Sequence, residues 1–277
     1  MSFGFITFLG KTAKDGLRRN APVFASYAEA LRHCPHGGYD STAIAAVVCA
    51  KTERMMADPE RCETSMPPAG RAGIALTSVI AQLLCGKGRS VRVLDFGGAC
   101  GAHYFAARQL APEVQFEWCV VETEAMIHQA RSLEDGCLKF ADSVAAAQEL
   151  MGGVDLLHSS STLQYLPAPE SGLAELIRVG AAAMALTRLS LTDGEPFTVV
   201  QKSRLSHNGP GPLPPGFRDG TVAYPLTILN RSRFEEALRQ NYEIAARYHD
   251  ESSDHITARG AIRGSSYLCL RKSGGRP

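Results

Sequence analysis

From Val91 to the end of the chain, short β-rich runs alternate with stretches of helical periodicity, and this alternation is what most narrows the folds open to it. It predicts a mostly parallel sheet covered by helices on both faces, because each crossover must carry the chain back along the sheet before the next parallel strand begins. Seven strands are expected, at 91–95, 116–122, 138–140, 154–158, 182–188, 242–248 and 266–271. Helices are expected between them at 102–110, 125–133, 143–151, 171–179 and 232–241, the last opened by a capping box of Ser232 and Glu235. No long helix fits between the sixth and seventh strands, so these two close the sheet as an antiparallel hairpin. The fold class is α/β, a seven-stranded, mostly parallel sheet with a terminal antiparallel hairpin.

Residues 1–70 read as a small helical N-terminal extension, a cap or an oligomer contact, with helices at 27–31 and 41–54 separated by the breaker Cys34-Pro35-His36-Gly37-Gly38. A second breaker, Met66-Pro67-Pro68-Ala69-Gly70, precedes an apolar helical run at 74–84 and sets the main domain at 71–277. One segment interrupts the alternation. Residues 209–216, within a connection near 204–221, are too rich in Pro and Gly for helix or strand and follow the fifth strand at the ligand-binding edge, so they are read as a lid or substrate loop.

Composition removes several partners. With 29 Lys+Arg against 28 Asp+Glu the net charge is +1, which gives no global field to gather nucleic acid, and none is expected as a partner. The eight cysteines form no CxxC pair and no dense framework, so they are read as reduced, mostly buried residues of a cytoplasmic protein. No stretch approaches the roughly 18 uncharged apolar residues of a spanning helix. The apolar run Phe3-Gly4-Phe5-Ile6-Thr7-Phe8-Leu9 is followed, not preceded, by Lys11, Lys14, Arg18 and Arg19, the reverse of a signal peptide. Such a segment suits weak peripheral contact with a membrane surface, or packing on the core or on a second subunit as in a homodimer, and both remain open.

The strongest local signal is the run from Val93 to Tyr104, in which an apolar strand ends in Asp95, the turn Gly97-Gly98-Ala99-Cys100-Gly101 follows, and a helix begins with His103 and Tyr104. Glycines let the main chain turn tightly and approach a ligand, while free N–H groups at the helix start hold its polar atoms. A carboxylate just before the turn suits a ligand with a cationic amino group and would repel a pyrophosphate. That favours the methionine moiety of S-adenosylmethionine over a dinucleotide. Glu122, ending the next strand 21 residues past Gly101 and followed by Thr123, is placed for ribose hydroxyls. Asp142, with Ser143 beside it, is placed for the adenine amino group.

The chain resembles the Rossmann-like (class I) S-adenosylmethionine-dependent methyltransferases, and more narrowly a group of methyltransferases associated with polysaccharide and other biosynthetic gene clusters. The matching stretches are Phe24-Ala25-Ser26-Tyr27-Ala28-Glu29-Ala30 with Gly38-Tyr39, Leu94-Asp95-Phe96-Gly97-Gly98, Trp118-Cys119-Val120-Val121-Glu122, Ser160-Ser161-Thr162-Leu163-Gln164-Tyr165-Leu166 and Tyr224-Pro225-Leu226. The resemblance implies S-adenosyl-L-methionine as cofactor, S-adenosyl-L-homocysteine as product, and Asp95, Gly97, Gly101, Glu122 and the region of Asp142 as cofactor residues. Ala99 departs from the pattern, standing where many such enzymes carry the middle glycine. The expected reaction is methyl transfer to a small-molecule or glycan acceptor, at oxygen, in a biosynthetic pathway.

The acceptor side is read from the same sheet edge. His158 ends the fourth strand, Ser159, Ser160, Ser161, Gln164 and Tyr165 follow it, and His103 opens the helix after the turn. His158, Tyr165 and His103 are the catalytic candidates, since histidine titrates near neutrality and an oxygen acceptor has a proton to lose. Ser159 and Ser160 are counted with the cofactor residues, while Arg188, Gln201 and His207 are candidates for an acidic acceptor. His36, His128, His249 and His255 share no metal-ligand spacing, so no metal is expected. Two rivals remain, a non-catalytic module of the same fold and an NAD(P)-dependent oxidoreductase, which the Gly98–Gly101 spacing alone would permit.

Overall fold

The computed structural model describes residues 21–35, 41–58, 66, 68–85, 90–250, 254–257 and 259–273. The membrane-or-dimer expectation for the N-terminal run, and the Gly38-Tyr39 part of the resemblance, lie outside the described residues. All seven expected strands are present: β2 (Val91–Phe96), β3 (Phe116–Val121), β4 (Leu138–Ala141), β5 (Leu156–Ser160), β6 (Ala183–Thr192), β9 (Tyr242–His249) and β11 (Gly260–Arg271). They stand side by side in the order β4-β3-β2-β5-β6-β11-β9, parallel as far as β6, with β11 antiparallel to both β6 and β9. The sheet is thus the mostly parallel α/β sheet expected from the sequence, with the antiparallel ending anticipated above.

The count of seven is corrected to eleven strands in the described residues. β7 (Phe197–Arg204) and β8 (Thr221–Asn230) form a long antiparallel hairpin, edged by β1 (Val23–Phe24) and joined to the end of β6. A short β10 (His255–Thr257) folds back on β11. The hairpin escapes a local reading because its arms are 16 residues apart in sequence, across the Pro/Gly-rich segment, and because Pro225 lies inside β8 opposite Val200. Residues 205–220 are thus the tip of a hairpin.

That tip is tied to the N-terminal part. Helices α1 (Tyr27–Arg32), α2 (Thr42–Ala57) and α3 (Pro68–Cys85) precede the sheet. Ile44, Val47, Val48 and Met55 of α2 join the same core as Val91, Val93 and Trp118 of the sheet, so the described part of the extension shares one interior with the main domain. Lys51 is 2% exposed, and its Nζ donates to the carbonyls of Ser206 (2.6 Å) and Asn208 (2.8 Å). Burial pulls its pKa down to about 8 despite the opposing pull of Asp219. An ammonium without those two acceptors would be costly at this depth, which is what pins the hairpin tip to α2.

Five further helices cover the sheet: α4 (Ala102–Leu110), α5 (Glu124–Ala130), α6 (Val144–Met151), α7 (Pro169–Val179) and α8 (Arg231–Arg239). The capping box expected for α8 is absent. Asn230 is the N-cap, its side chain accepting from Arg233 N at 2.9 Å, and Glu235 turns inward to two arginines and Tyr267. Five of the seven described cysteines are buried and all seven are free thiols, in line with the expectation. No helix of the described residues is long and apolar enough to cross a membrane.

Candidate functional site

The chain runs outward from β2 to β3 to β4, then returns to lay β5 on the opposite side of β2. The reversal opens a crevice outside the carboxyl ends of β2 and β5, where ligands of open α/β sheets bind. Asp95 and His158 are register partners across that junction. The glycine turn, Glu122, Ser159, Ser160 and Tyr165 surround it.

Asp95 is wholly buried. Its Oδ2 accepts from His103 Nδ1 at 3.0 Å and from Trp118 Nε1 at 3.2 Å, while Oδ1 is buried with no partner. Burial alone would raise its carboxyl pKa, but the charge and hydrogen bond of His103, with His158 and Trp118, outweigh it and hold the group below its ordinary value. The turn lies directly over this carboxylate: a Cβ on Gly98 would fall 2.2 Å from Asp95 Oδ2, and one on Gly97 would fall 2.2 Å from the Thr162 side chain. Gly97 and Gly101 have φ of 74° and 80°, so two of these glycines are also required by backbone conformation. Asp95 therefore sits beneath the turn and has no surface of its own to offer a ligand.

His158 is also fully buried, with Nδ1 at 2.8 Å from Thr77 Oγ1 of α3. Thr77 donates its hydroxyl to Gly73 O at 3.0 Å, so it accepts from His158 Nδ1–H and leaves Nε2 a bare lone pair. Burial lowers the His158 pKa to about 3, against the pull of Asp95. His103 stands edge-on to it, ring centroids 4.9 Å apart, and is the histidine of the pair that reaches solvent, with a side chain 16% exposed. Asp95, His103 and His158 each offer a ligand atom within 4.8 Å of the others, the one such trio among the described residues.

The remaining cofactor candidates fall in two groups. Glu122 accepts from the turn amide of Ala99 at 3.1 Å and from Thr123 N at 2.8 Å, Ser159 Oγ donates to Phe96 O at 3.0 Å, and Ser160 Oγ is buried and unpaired. These are brought together at the crevice. Thr123 and Ser143 are helix N-caps for α5 and α6, and Asp142 beside Ser143 is exposed. Tyr104 is 1% exposed and turned into the core against Trp118, away from the turn.

On the acceptor side, Tyr165 donates to Gln201 Oε1 at 3.0 Å and packs edge-on against Tyr224, so it joins the β7–β8 hairpin to the crevice. Burial raises its hydroxyl pKa, with Arg188 opposing, so the phenol stays protonated. His207 lies in the short turn after β7, beside the carbonyls that Lys51 holds. Of the seven buried side-chain N or O atoms without a partner among the described residues, six belong to Asp95, His158, Ser160, Gln164, Thr187 and Arg188. Among the described residues the non-glycine residues with positive φ are Ala99, Ser161 and Arg188, all at this same edge. Unmet polar atoms and strained backbone concentrate where a ligand completes a site. Neither signal is visible in sequence, since both depend on which strands become neighbours.

No family model and no curated protein matches the chain. Among solved structures, the [4+2]-cyclase SpnF superposes with a TM-score of 0.47 and 13% identity over 93% of this chain and 100% of that one. The SAM-bound amino pentose methyltransferase CalS10 from Micromonospora echinaspora gives 0.44 and 16% over 73% of this chain and 92% of that one. The Burkholderia thailandensis 1,6-didemethyltoxoflavin-N1-methyltransferase, solved with S-adenosylhomocysteine, gives 0.43 and 15% over 83% and 89%.

Proposed function

We propose that this protein is an S-adenosylmethionine-dependent methyltransferase that moves a methyl group to a small-molecule or glycan acceptor, at oxygen, in a biosynthetic pathway. The observation that carries the reading is the junction of β2 and β5, where a glycine turn lies over a buried carboxylate and Glu122, just after β3, reaches the turn's own amide. A buried negative charge under the turn favours a cationic ligand such as an ammonium or sulfonium. Glu122 is the group able to exchange its bond to Ala99 N for ribose hydroxyls.

When bound, the donor supplies a methyl group on a positively charged sulfur, and the reaction is a displacement at that carbon. The protein's share is to align the acceptor and exclude water. In this scheme His103 is the base: Asp95 holds its Nδ1–H, which leaves Nε2 to take the acceptor's proton. His158, buried with Nδ1 engaged by Thr77, supports that arrangement from behind. Tyr165, kept protonated by burial, donates a hydrogen bond to the acceptor in place of Gln201.

Isothermal titration with S-adenosylhomocysteine and with NAD tests the donor. Binding of the first alone is expected. Binding of NAD alone would replace this reading with an oxidoreductase, and binding of neither would leave a non-catalytic module of the same fold.

A further inference from the structure

We infer that Arg188 anchors an oxyanion, a carboxylate or phosphate, on the acceptor, so that the substrate class is an acid; this rests on the proposed methyltransferase reading and deepens it. The starting point is an irregularity in the sheet. β11 pairs with β6 as Leu189↔Ser265 and then Leu186↔Tyr267, so Thr187 and Arg188 together stand opposite the single residue Ser266. Two residues against one is a β-bulge, a device that re-aims a side chain and recurs beside active sites.

The bulge is held in a strained form. Arg188 has φ of 58°, a left-handed conformation that is strained for an L-residue and usually given to glycine. Three hydrogen bonds keep it there: Arg188 N to Ser266 Oγ at 3.0 Å, Gln164 Nε2 to Arg188 O at 3.0 Å, and Ser161 N to Thr187 O at 2.8 Å. A glycine at this place would remove the strain, so an arginine kept here points to work done by its side chain.

The guanidinium is short of partners. Arg188 is half-buried, its Nε is buried without a hydrogen bond, and no carboxylate pairs with it among the described residues. By contrast Arg92 pairs with Asp155, Arg231 with Asp193, and Arg247 with Glu235. Polar atoms lacking partners also sit on its neighbours: Thr187 Oγ1 on the adjacent residue of the bulge, Ser160 Oγ on the β5 residue paired with Thr187, and Oε1 of Gln164, whose Nε2 bonds the Arg188 carbonyl. The phenol of Tyr165 is close enough to feel its charge. A planar fork of N–H donors matches carboxylate or phosphate geometry, and the bare hydroxyls beside it can donate to the same oxygens. The acceptor hydroxyl would then lie between this anchor and the glycine turn.

The test uses wild-type protein, Arg188→Gln and Arg188→Lys, each with and without saturating S-adenosylhomocysteine. Ligand-observed NMR measures affinity for benzoate and phenyl phosphate against neutral benzamide. Wild type is expected to bind at least one anion tenfold or more tightly than benzamide, and the choice between the two anions assigns carboxylate or phosphate. Arg188→Gln is expected to reduce that preference below threefold, and Arg188→Lys, which keeps the charge but not the fork, to give an intermediate value. S-adenosylhomocysteine affinity should change less than threefold in both. A wild type with no anion preference, or variants that keep it in full, would overturn the proposal. Should Arg188→Gln fail to fold, the wild-type and Arg188→Lys values decide. Loss of S-adenosylhomocysteine binding in the wild type would instead sink the donor assignment, which separates the two failures.

Discussion

Two buried carboxylates, one on a helix and one on a strand, show what separates structure from site. Glu235, on α8, accepts from Arg239 (2.8 Å), Arg247 (2.9 Å) and Tyr267 (3.0 Å), so both of its oxygens are used. Asp95 is buried more deeply, yet both of its donors fall on one oxygen and the other is left bare. Each carboxyl is held below its ordinary pKa although burial would raise it. Glu235 is complete as it stands and ties α8 to β9 and β11, whereas Asp95 belongs to a set of side chains that the protein alone does not satisfy.

The sharpest way to break this contrast is to remove each carboxylate in turn. Glu235→Ala leaves the buried Tyr267 hydroxyl short of a partner and should lower unfolding free energy by about 1–3 kcal/mol, with S-adenosylhomocysteine affinity within twofold of wild type. Asp95→Ala should weaken that affinity at least tenfold by freeing His103 and removing the negative charge beneath the turn. Urea unfolding and titration calorimetry on the two variants read both quantities. Equal losses of affinity would show that the distinction drawn here between the carboxylates is false.

The two regions also differed in how far the sequence exposed them. β2, β3 and the turn between β2 and α4 were legible because each is a contiguous run whose pattern is set by local rules: apolar strand, glycines, helix. So was the antiparallel ending, from the missing crossover helix. The bulge at Arg188 was not, because it arises only when β11, some 75 residues later, lays Ser266 against β6. β7 and β8 were hidden by the Pro/Gly-rich tip between them. The true place of Asp95 was half legible: its position before the turn marked the site, but its burial beneath Gly98 depends on the turn closing over it. The inward turn of Glu235, read as a capping partner for Ser232, needed the partners Arg247 and Tyr267 to be seen.

A second test sharpens the contrast through pH. The unfolded chain binds a proton at His158 below about pH 6.5, whereas the folded protein keeps it neutral until about pH 3. Its depressed pKa therefore lowers stability as pH falls from about 6.5 toward 3, by up to about 1.4 kcal/mol per pH unit. Glu235 and Asp95 act lower, their contributions being present above the unfolded carboxylate pKa of about 4 and lost as pH falls toward their depressed folded values. Between pH 6.5 and 5 the histidine effect stands apart from the carboxylates. His158→Leu should lose less stability than wild type over that interval, by up to about 2 kcal/mol in the urea-unfolding difference. Parallel curves for the two proteins would mean that His158 takes up its proton in the fold at the same pH as in the unfolded chain, and would refute its burial as a neutral group.

The smallest expected effect concerns Ala99, the residue that departs from the glycine pattern. Its φ of 53° places an alanine in the left-handed region, and its amide is already engaged by Glu122. Ala99→Gly relieves about 1–2 kcal/mol of backbone strain. It also frees the unfolded chain, which offsets roughly 0.5–1 kcal/mol of that gain. The variant should therefore unfold within about 1 kcal/mol of wild type. Ala99 lacks only a hydrogen in place of its methyl to match the common pattern, so S-adenosylhomocysteine affinity should stay the same or tighten up to threefold. If affinity instead fell more than tenfold, the Ala99 methyl would have to be a contact surface for the ligand. The positive φ at this position would then serve to present that methyl, as the strain at Arg188 is argued to present its side chain.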